Sequence, residues 1–119
     1  MSFGFKLRKS DTLFSLYLRK KRGYKSDLSG RFYSEGKGLQ VSHFHGRRNE
    51  NTRFDEENCD ILSFFEHQHF EENPHEYQLW KMKQLGQRKY DNLTLRSNLY
   101  KKRDDVQDFL YVKELIKKL

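Results

Sequence analysis

The sequence predicts one α+β domain, and three observations lead to that class. Leu39 to Phe44 alternates apolar and polar residues as a half-buried strand does. Helix start and stop signals bracket Ser10 to Gly23, Asn73 to Gly86 and the run that begins at Asp104. With 119 residues, the chain can fill one modest core and not two.

Hydrophobic residues make up 34% of the chain and charged residues another 34%, while aromatics reach 15%. The core is therefore expected to lean on Phe and Tyr, which bury much area per residue. The net charge of +7 is unevenly placed. Residues 1–25 carry eight Lys or Arg against Asp11 alone, whereas residues 50–76 carry nine acids against Arg53 alone. A basic region beside an acidic one suits a protein that holds a polyanion with the first and a cation with the second. A single cysteine excludes an internal disulfide and any all-thiolate zinc site. No stretch reaches the roughly 20 apolar residues of a membrane span, and no signal-peptide core opens the chain, so a soluble, intracellular protein is expected.

The elements follow in order. Residues 1–9 read as a loose basic arm and residues 10–23 as the first helix, with Ser10 as cap and Asp11 at its positive start. Leu13, Leu16, Tyr17 and Lys20 recur there at helical spacing, and Gly23 ends it. Residues 24–38 hold three Gly and three Ser around Phe32 and Tyr33, the composition of a tight knuckle and short hairpin. The strand follows, with Leu39, Val41, His43 and His45 on one face; residues 46–57 form a polar loop, with Asp55 or Asn58 as caps for what comes next. Residues 61–70 are too apolar for a surface loop and lead into a second helix. Residues 73–119 then supply the C-terminal helices. Asn73-Pro74 with Glu76 starts one, with Tyr77, Trp80, Leu79 and Leu85 as its buried stripe and Gly86 as its stop. A short helix is expected over Arg88 to Arg96, and Asp104 with Gln107 caps the last, with Val106, Phe109, Leu110, Lys113 and Ile116 at helical spacing.

The residues that could do chemistry lie between Leu39 and Glu72, which holds four of the five histidines. His43 on a strand, Asn58 fifteen residues later and His67 nine beyond that is the order of parts in a ββα-metal nuclease site. Hydrolysis of a phosphodiester needs a base whose pKa lies near the working pH, which imidazole supplies, and a divalent cation to offset developing charge. Asn58 can orient the imidazole or hold the loop. Arg47 and Arg48 stand beside the base, where a phosphate must lie, and guanidinium binds phosphate oxygens bidentately. Arg19, Lys20, Lys21 and Arg22 are placed to grip a nucleic-acid backbone without reading sequence. His69 and His75 read as surface or capping residues.

The run LQVSHFHGRRNENTRFDEENCDIL, continued by HQHFEENPHEYQLWKMKQLG, resembles the phage NinG/Rap-type recombination endonucleases and related phage HNH proteins. The likeness extends back over DTLFSLYLRKKRGYKSDLSGR and covers most of the chain. It implies a ββα-metal core, HNH or treble-clef-like, over residues 24–72, with a short β-hairpin and flanking N- and C-terminal helices in one nuclease domain, 1–119. It also implies a metal-dependent endonuclease acting on DNA, with His43 as general base, Asn58 in the Asn position and His67 as a metal ligand. His45 or Glu71 would complete the metal set, since Ser42 stands where many HNH sites carry an acid or His. The mixed oxygen and imidazole set accepts Mg or Mn, and Zn or Ni as well. A role in phage DNA recombination, a branched or single-strand-containing DNA substrate and a place in the host cytoplasm come with the same resemblance.

The chain departs from that family at its zinc knuckles. Ser26 and Ser29, and Ser63 and Glu66, stand where two Cys-x-x-Cys pairs commonly hold a structural zinc. No structural zinc is therefore expected, and Ser hydrogen bonds with Phe32, Phe64 and Phe65 packing are expected to replace it. Cys59 lies off the knuckle spacing and reads as a small buried residue. Two other readings stand beside the nuclease: a DNA-binding module that keeps the fold without catalysis, and a structural or interaction protein.

Overall fold

A computed structural model describes residues 7–119. The expected arm at 1–9 lies partly outside the described residues, and its last part is held in place. Arg8 caps α1 (Lys9–Lys21) with its backbone and closes a bidentate pair onto Glu50, both contacts at 2.8 Å. Ser10, expected as the cap, is thus inside the helix and buried, two residues past the actual cap. Asp11 accepts the Arg8 N–H at 2.8 Å, as an acid at a helix start should.

After α1, Gly23 and Tyr24 turn the chain in the left-handed region, and Lys25 pairs with Phe32 in the short hairpin foreseen there. Gly36 shows why this turn needs glycine: its φ is +73°, and a Cβ would come within 2.9 Å of the Tyr24 ring. Strand β1 (Leu39–His43) then pairs antiparallel with β2 (Cys59–Ser63), in a register that sets His43 opposite Cys59 and Leu39 opposite Ser63. Helices α2 (Phe64–Glu72), α3 (Pro74–Leu85), α4 (Gln87–Ser97) and α5 (Asp105–Lys117) complete the order. The predicted α+β class holds, with five α-helices and a two-stranded sheet among the described residues.

The hairpin is sandwiched. Leu39, Val41, Cys59 and Ile61 face Phe14, Tyr17 and Leu18 of α1, Phe54 of the intervening loop and Val112 of α5. Leu62 faces Phe70 of α2 and Tyr77 of α3, whose rings stack with centroids 4.4 Å apart. Aromatics supply Phe14, Tyr17, Phe54, Phe70 and Tyr77 to the core, as composition led one to expect, beside seven buried Leu, Val and Ile side chains among the described residues. All five residues of β2 are buried, so the strand lacks the alternation that would reveal it in the sequence.

Several helix faces differ from the spacing-based assignment. Leu16, Leu79, Val106 and Leu110 are exposed, while α1 buries Phe14 and Leu18 and α5 buries Asp108 and Val112. In α5 the buried stripe is rotated because Asp108 lies close to two cations, Arg8 at 3.9 Å and Lys101 at 3.7 Å, which no hydrophobicity pattern registers. Starts and stops fare better: Asp104 accepts from Gln107 N–H, Pro74 sits in the first turn of α3, and Gly86 ends it at φ +82°. No described helix is long and apolar enough to cross a membrane.

Among the described residues, two ion pairs have both side chains almost fully buried. Arg53, in the loop between the strands, donates to both oxygens of Asp11, the Nε contact at 2.8 Å, with each side chain only 3% exposed. Lys81 of α3 donates to both oxygens of Asp60 on β2, at 3.0 and 3.1 Å. Removing one partner of such a pair leaves a charge buried without compensation, at a cost of about 3–5 kcal/mol. Asp11→Ala is predicted to lose that much in urea unfolding, and a loss under about 1 kcal/mol would show that the pair is not what holds α1 to the loop.

Candidate functional site

His43 closes β1, and its ring is fixed by the chain itself. Nε2 lies 2.8 Å from the carbonyl oxygen of Arg53, an acceptor only, so Nε2 carries the proton. Nδ1 then bears the lone pair, and it is buried with no hydrogen-bond partner among the described residues. Burial, with the Arg47 charge beside it, pulls the imidazole down to about 4 against the opposing pull of the Arg53 carbonyl. At neutral pH the result is an uncharged ring with one free proton-accepting nitrogen.

Asn58 does not cap a helix; it clamps the turn that follows His43. Its Oδ1 accepts from the His45 N–H at 2.8 Å, and its Nδ2 donates to the carbonyls of His45 (2.9 Å) and Thr52 (3.1 Å). The side chain is fully buried. Of the two caps proposed for this stretch, Asp55 takes the role, accepting from Glu57 N–H.

His67 sits on the first turns of α2, on the other face of the hairpin. Gln40 of β1 presents its side-chain oxygen to Nδ1 at 2.8 Å, which places the ring proton there and turns the Nε2 lone pair toward Glu71, 3.3 Å away. Burial lowers the His67 pKa, Glu71 opposes and Arg47 adds to the lowering, so the ring is neutral at pH 7. A lone pair facing a carboxylate is an arrangement that a cation would relieve. The two side chains line a pocket of about 320 Å³ with Gln40, Phe64 and Gln68. His45 is not gathered with them: its ring packs on Phe44, its Nε2 is buried without a partner among the described residues, and burial and the Lys81 charge lower its pKa. Among the described residues, no three His, Cys, Asp or Glu side chains form a metal-holding cluster.

Arg47 links the two histidines electrostatically, since its charge acts on both His43 and His67. Arg48 is exposed on the same loop. The four cations of α1 are mostly engaged within the protein. Arg22 donates to Asp27 (2.6 Å) and to the carbonyls of Cys59 (2.7 Å) and Glu56 (2.8 Å), Lys21 pairs with Glu56, and Arg19 bonds the Ser15 and Gly36 carbonyls. Lys20 alone of the four is exposed without such a bond.

Ser42, beside His43, is buried, and its hydroxyl donates to Tyr77 Oη at 3.0 Å, because the Tyr77 proton goes to Asp60 at 2.7 Å. Burial and the Asp60 charge push the Tyr77 phenol far up, keeping it a donor. Two contributors to the site were missed from sequence. Arg53 is one, although its position as the only cation in the acidic block was a signal; Gln40, which orients His67, had none.

The four knuckle positions converge. Glu66 accepts from Ser26 Oγ at 2.7 Å and from the Ser63 N–H at 2.8 Å, while its own N–H donates to Ser63 Oγ at 3.2 Å and the Ser29 N–H donates to Ser26 Oγ at 3.1 Å. Burial raises the Glu66 pKa, but the serines around it together hold it below the ordinary value. Phe32, Phe64 and Phe65 do not pack over the knuckle as expected; they are 59%, 55% and 78% exposed. The knuckle is also stitched to β2, with Asp27 N–H donating to the Ile61 carbonyl (2.7 Å) and Ile61 N–H to the Asp27 carboxylate (2.6 Å). Cys59 is fully buried, and burial raises its thiol pKa. Comparison with protein-family models, with curated proteins and with solved structures found no match to this chain.

Two outcomes are expected. Chelation with EDTA leaves the thermal midpoint unchanged, whereas Glu66→Ala costs about 2 kcal/mol by leaving its donors unpaired; a midpoint that falls with EDTA contradicts a knuckle held by hydrogen bonds. The second concerns pH. Unfolded His43 binds its proton near pH 6.5 and the folded ring only near 4, so its contribution is present above 6.5 and lost as pH falls toward 4. Between those limits it amounts to about 3 kcal/mol. Urea unfolding at pH 7 and 4.5 will lose less stability in His43→Gln than in the parent; equal losses contradict a buried neutral imidazole.

Proposed function

We propose that this protein is a metal-dependent endonuclease that hydrolyses DNA phosphodiester bonds, with a ββα-metal core formed by β1, β2 and α2. The observation that carries the reading is His43: a neutral imidazole whose Nε2–H is tied to a backbone carbonyl and whose buried Nδ1 keeps an unbonded lone pair that can take a proton once a water reaches it. Such a ring is a general base held in one orientation before substrate arrives.

In the reaction, Nδ1 of His43 removes a proton from the attacking water. Oxygen then adds to phosphorus and the bond to the leaving sugar oxygen breaks, the leaving oxygen taking a proton from solvent. Arg47, whose charge reaches both histidines, holds the phosphate. Asn58 keeps the turn after His43 rigid so that the base does not drift. His67 Nε2 and Glu71 would hold a divalent cation, since imidazole nitrogen and carboxylate oxygen are ligands that such ions accept. When bound, the cation offsets charge on the phosphate and on the leaving oxygen. Of the companions proposed for His67, Glu71 is the better placed and His45 the worse.

A second reading, a DNA-binding module without catalysis, is favoured by Ser42. Its hydroxyl is committed to Tyr77 and brings no charge beside the base. Incubating supercoiled plasmid with Mg, Mn or Ni separates the two. The parent is expected to nick it in at least one metal, and His43→Ala to lose about 100-fold or more in rate, the usual worth of a general base. Nicking by both proteins at one rate removes His43 from the mechanism, and salt-sensitive binding without nicking selects the second reading.

A further inference from the structure

The loop after His43 and the segment between α4 and α5 form one cleft. Asn51 donates to the Arg96 carbonyl at 2.8 Å, and the Arg96 guanidinium bridges Asp55 (2.7 Å) and Glu57 (2.8 Å). These bonds tie the end of α4 to the loop that carries Arg47 and Arg48. The resulting cleft, about 430 Å³, is lined by Arg48 and Asn49 on one side and by Leu99, Tyr100 and Lys101 on the other.

Its chemistry is uneven in an informative way. Glu50 is the one acid on its wall, and both its oxygens are closed by Arg8 at 2.8 Å. Arg48 has no hydrogen bond or ion pair among the described residues, and neither has Lys102 on the facing segment. Lys101 pairs with Asp108 at 3.7 Å. Tyr100 is 90% exposed, held out on this basic segment with no ring stacked against it among the described residues. Arg48 and Lys102 together with an exposed aromatic suit a polyanion whose bases are unstacked, because phosphate binds the cations while a base covers the ring. Duplex DNA offers no free base face.

We propose that this cleft binds a single, unpaired DNA strand continuing from the scissile phosphate, with Arg48 on a backbone phosphate and Tyr100 stacked on a base. The proposal rests on DNA being the substrate, and it extends the site from His43 through Arg47 and Arg48 to the loop of residues 98–104.

The test is fluorescence anisotropy of the full chain in EDTA with a labelled single-stranded oligothymidine and, separately, a labelled duplex of the same length. Tyr100→Ala is expected to weaken single-strand binding about tenfold, the usual worth of one stacked base, with duplex binding unchanged and Tyr100→Trp restoring affinity. Arg48→Gln is expected to weaken both and to lower the salt slope by about 0.7 to 0.9. Because Tyr100 is almost fully exposed, the variant keeps its fold, which circular dichroism checks. Equal single-strand affinity for the parent and Tyr100→Ala overturns the proposal, as does a parent that binds no single strand. Plasmid nicking together with Tyr100-independent binding keeps the nuclease and discards the cleft; Tyr100-dependent binding without nicking does the reverse.

Discussion

Arg53 is the residue on which the arrangement depends. Its guanidinium is buried against Asp11 at the start of α1, its Nη1 donates to the Arg47 carbonyl at 2.9 Å, and its own carbonyl accepts from His43 Nε2. One residue therefore holds the first helix to the loop, shapes the turn that carries the arginines and sets the tautomer of His43. A buried guanidinium tolerates no slack, since each donor left without a partner is costly in a low dielectric. The same rigidity that stabilises the loop preorganises the histidine, so stability and chemistry are not separable here.

The other face of the hairpin repeats the logic with different residues. Asp60 lies fully buried on β2 and gathers Tyr77, Lys81 and Gln84 from α3, while Tyr77 in turn receives Ser42. That network fills the side of β1 next to His43 with hydrogen-bonded groups. The knuckle adds a third polar knot, Glu66 with its serines. A protein with few aliphatic residues thus holds its strands and helices with three buried or half-buried carboxylates, each fully bonded. Arg22 and Asp27 anchor the knuckle to β2.

Much of this was legible in the sequence where the signal is local. The caps at Asp104 and Pro74, the stop at Gly86, the strand at Leu39 and the turn-rich hairpin each follow from short-range backbone chemistry. Helix faces were harder to read. Leu16, Val106 and Leu110 have the right spacing and point outward, since Asp11 and Asp108 on the same helices are turned inward toward cations contributed by distant segments. The convergence of Ser26, Ser29, Ser63 and Glu66 was visible only through the resemblance, and the expectation that phenylalanines would cover them failed. Gln40 and Arg53 act through contacts set by tertiary structure, and residue type alone could not place them.

The account stands or falls on which nitrogen of His43 carries the proton. A carbonyl acceptor on Nε2 leaves Nδ1 as the base, whereas a proton on Nδ1 would leave no nitrogen free to accept one from water. Long-range proton–nitrogen correlation NMR on uniformly labelled protein at pH 7 reads this directly. The account predicts a protonated Nε2 and an unprotonated Nδ1 for His43, with Arg53 substitutions disturbing that pattern. A His43 ring protonated on Nδ1, or on both nitrogens at that pH, would contradict it.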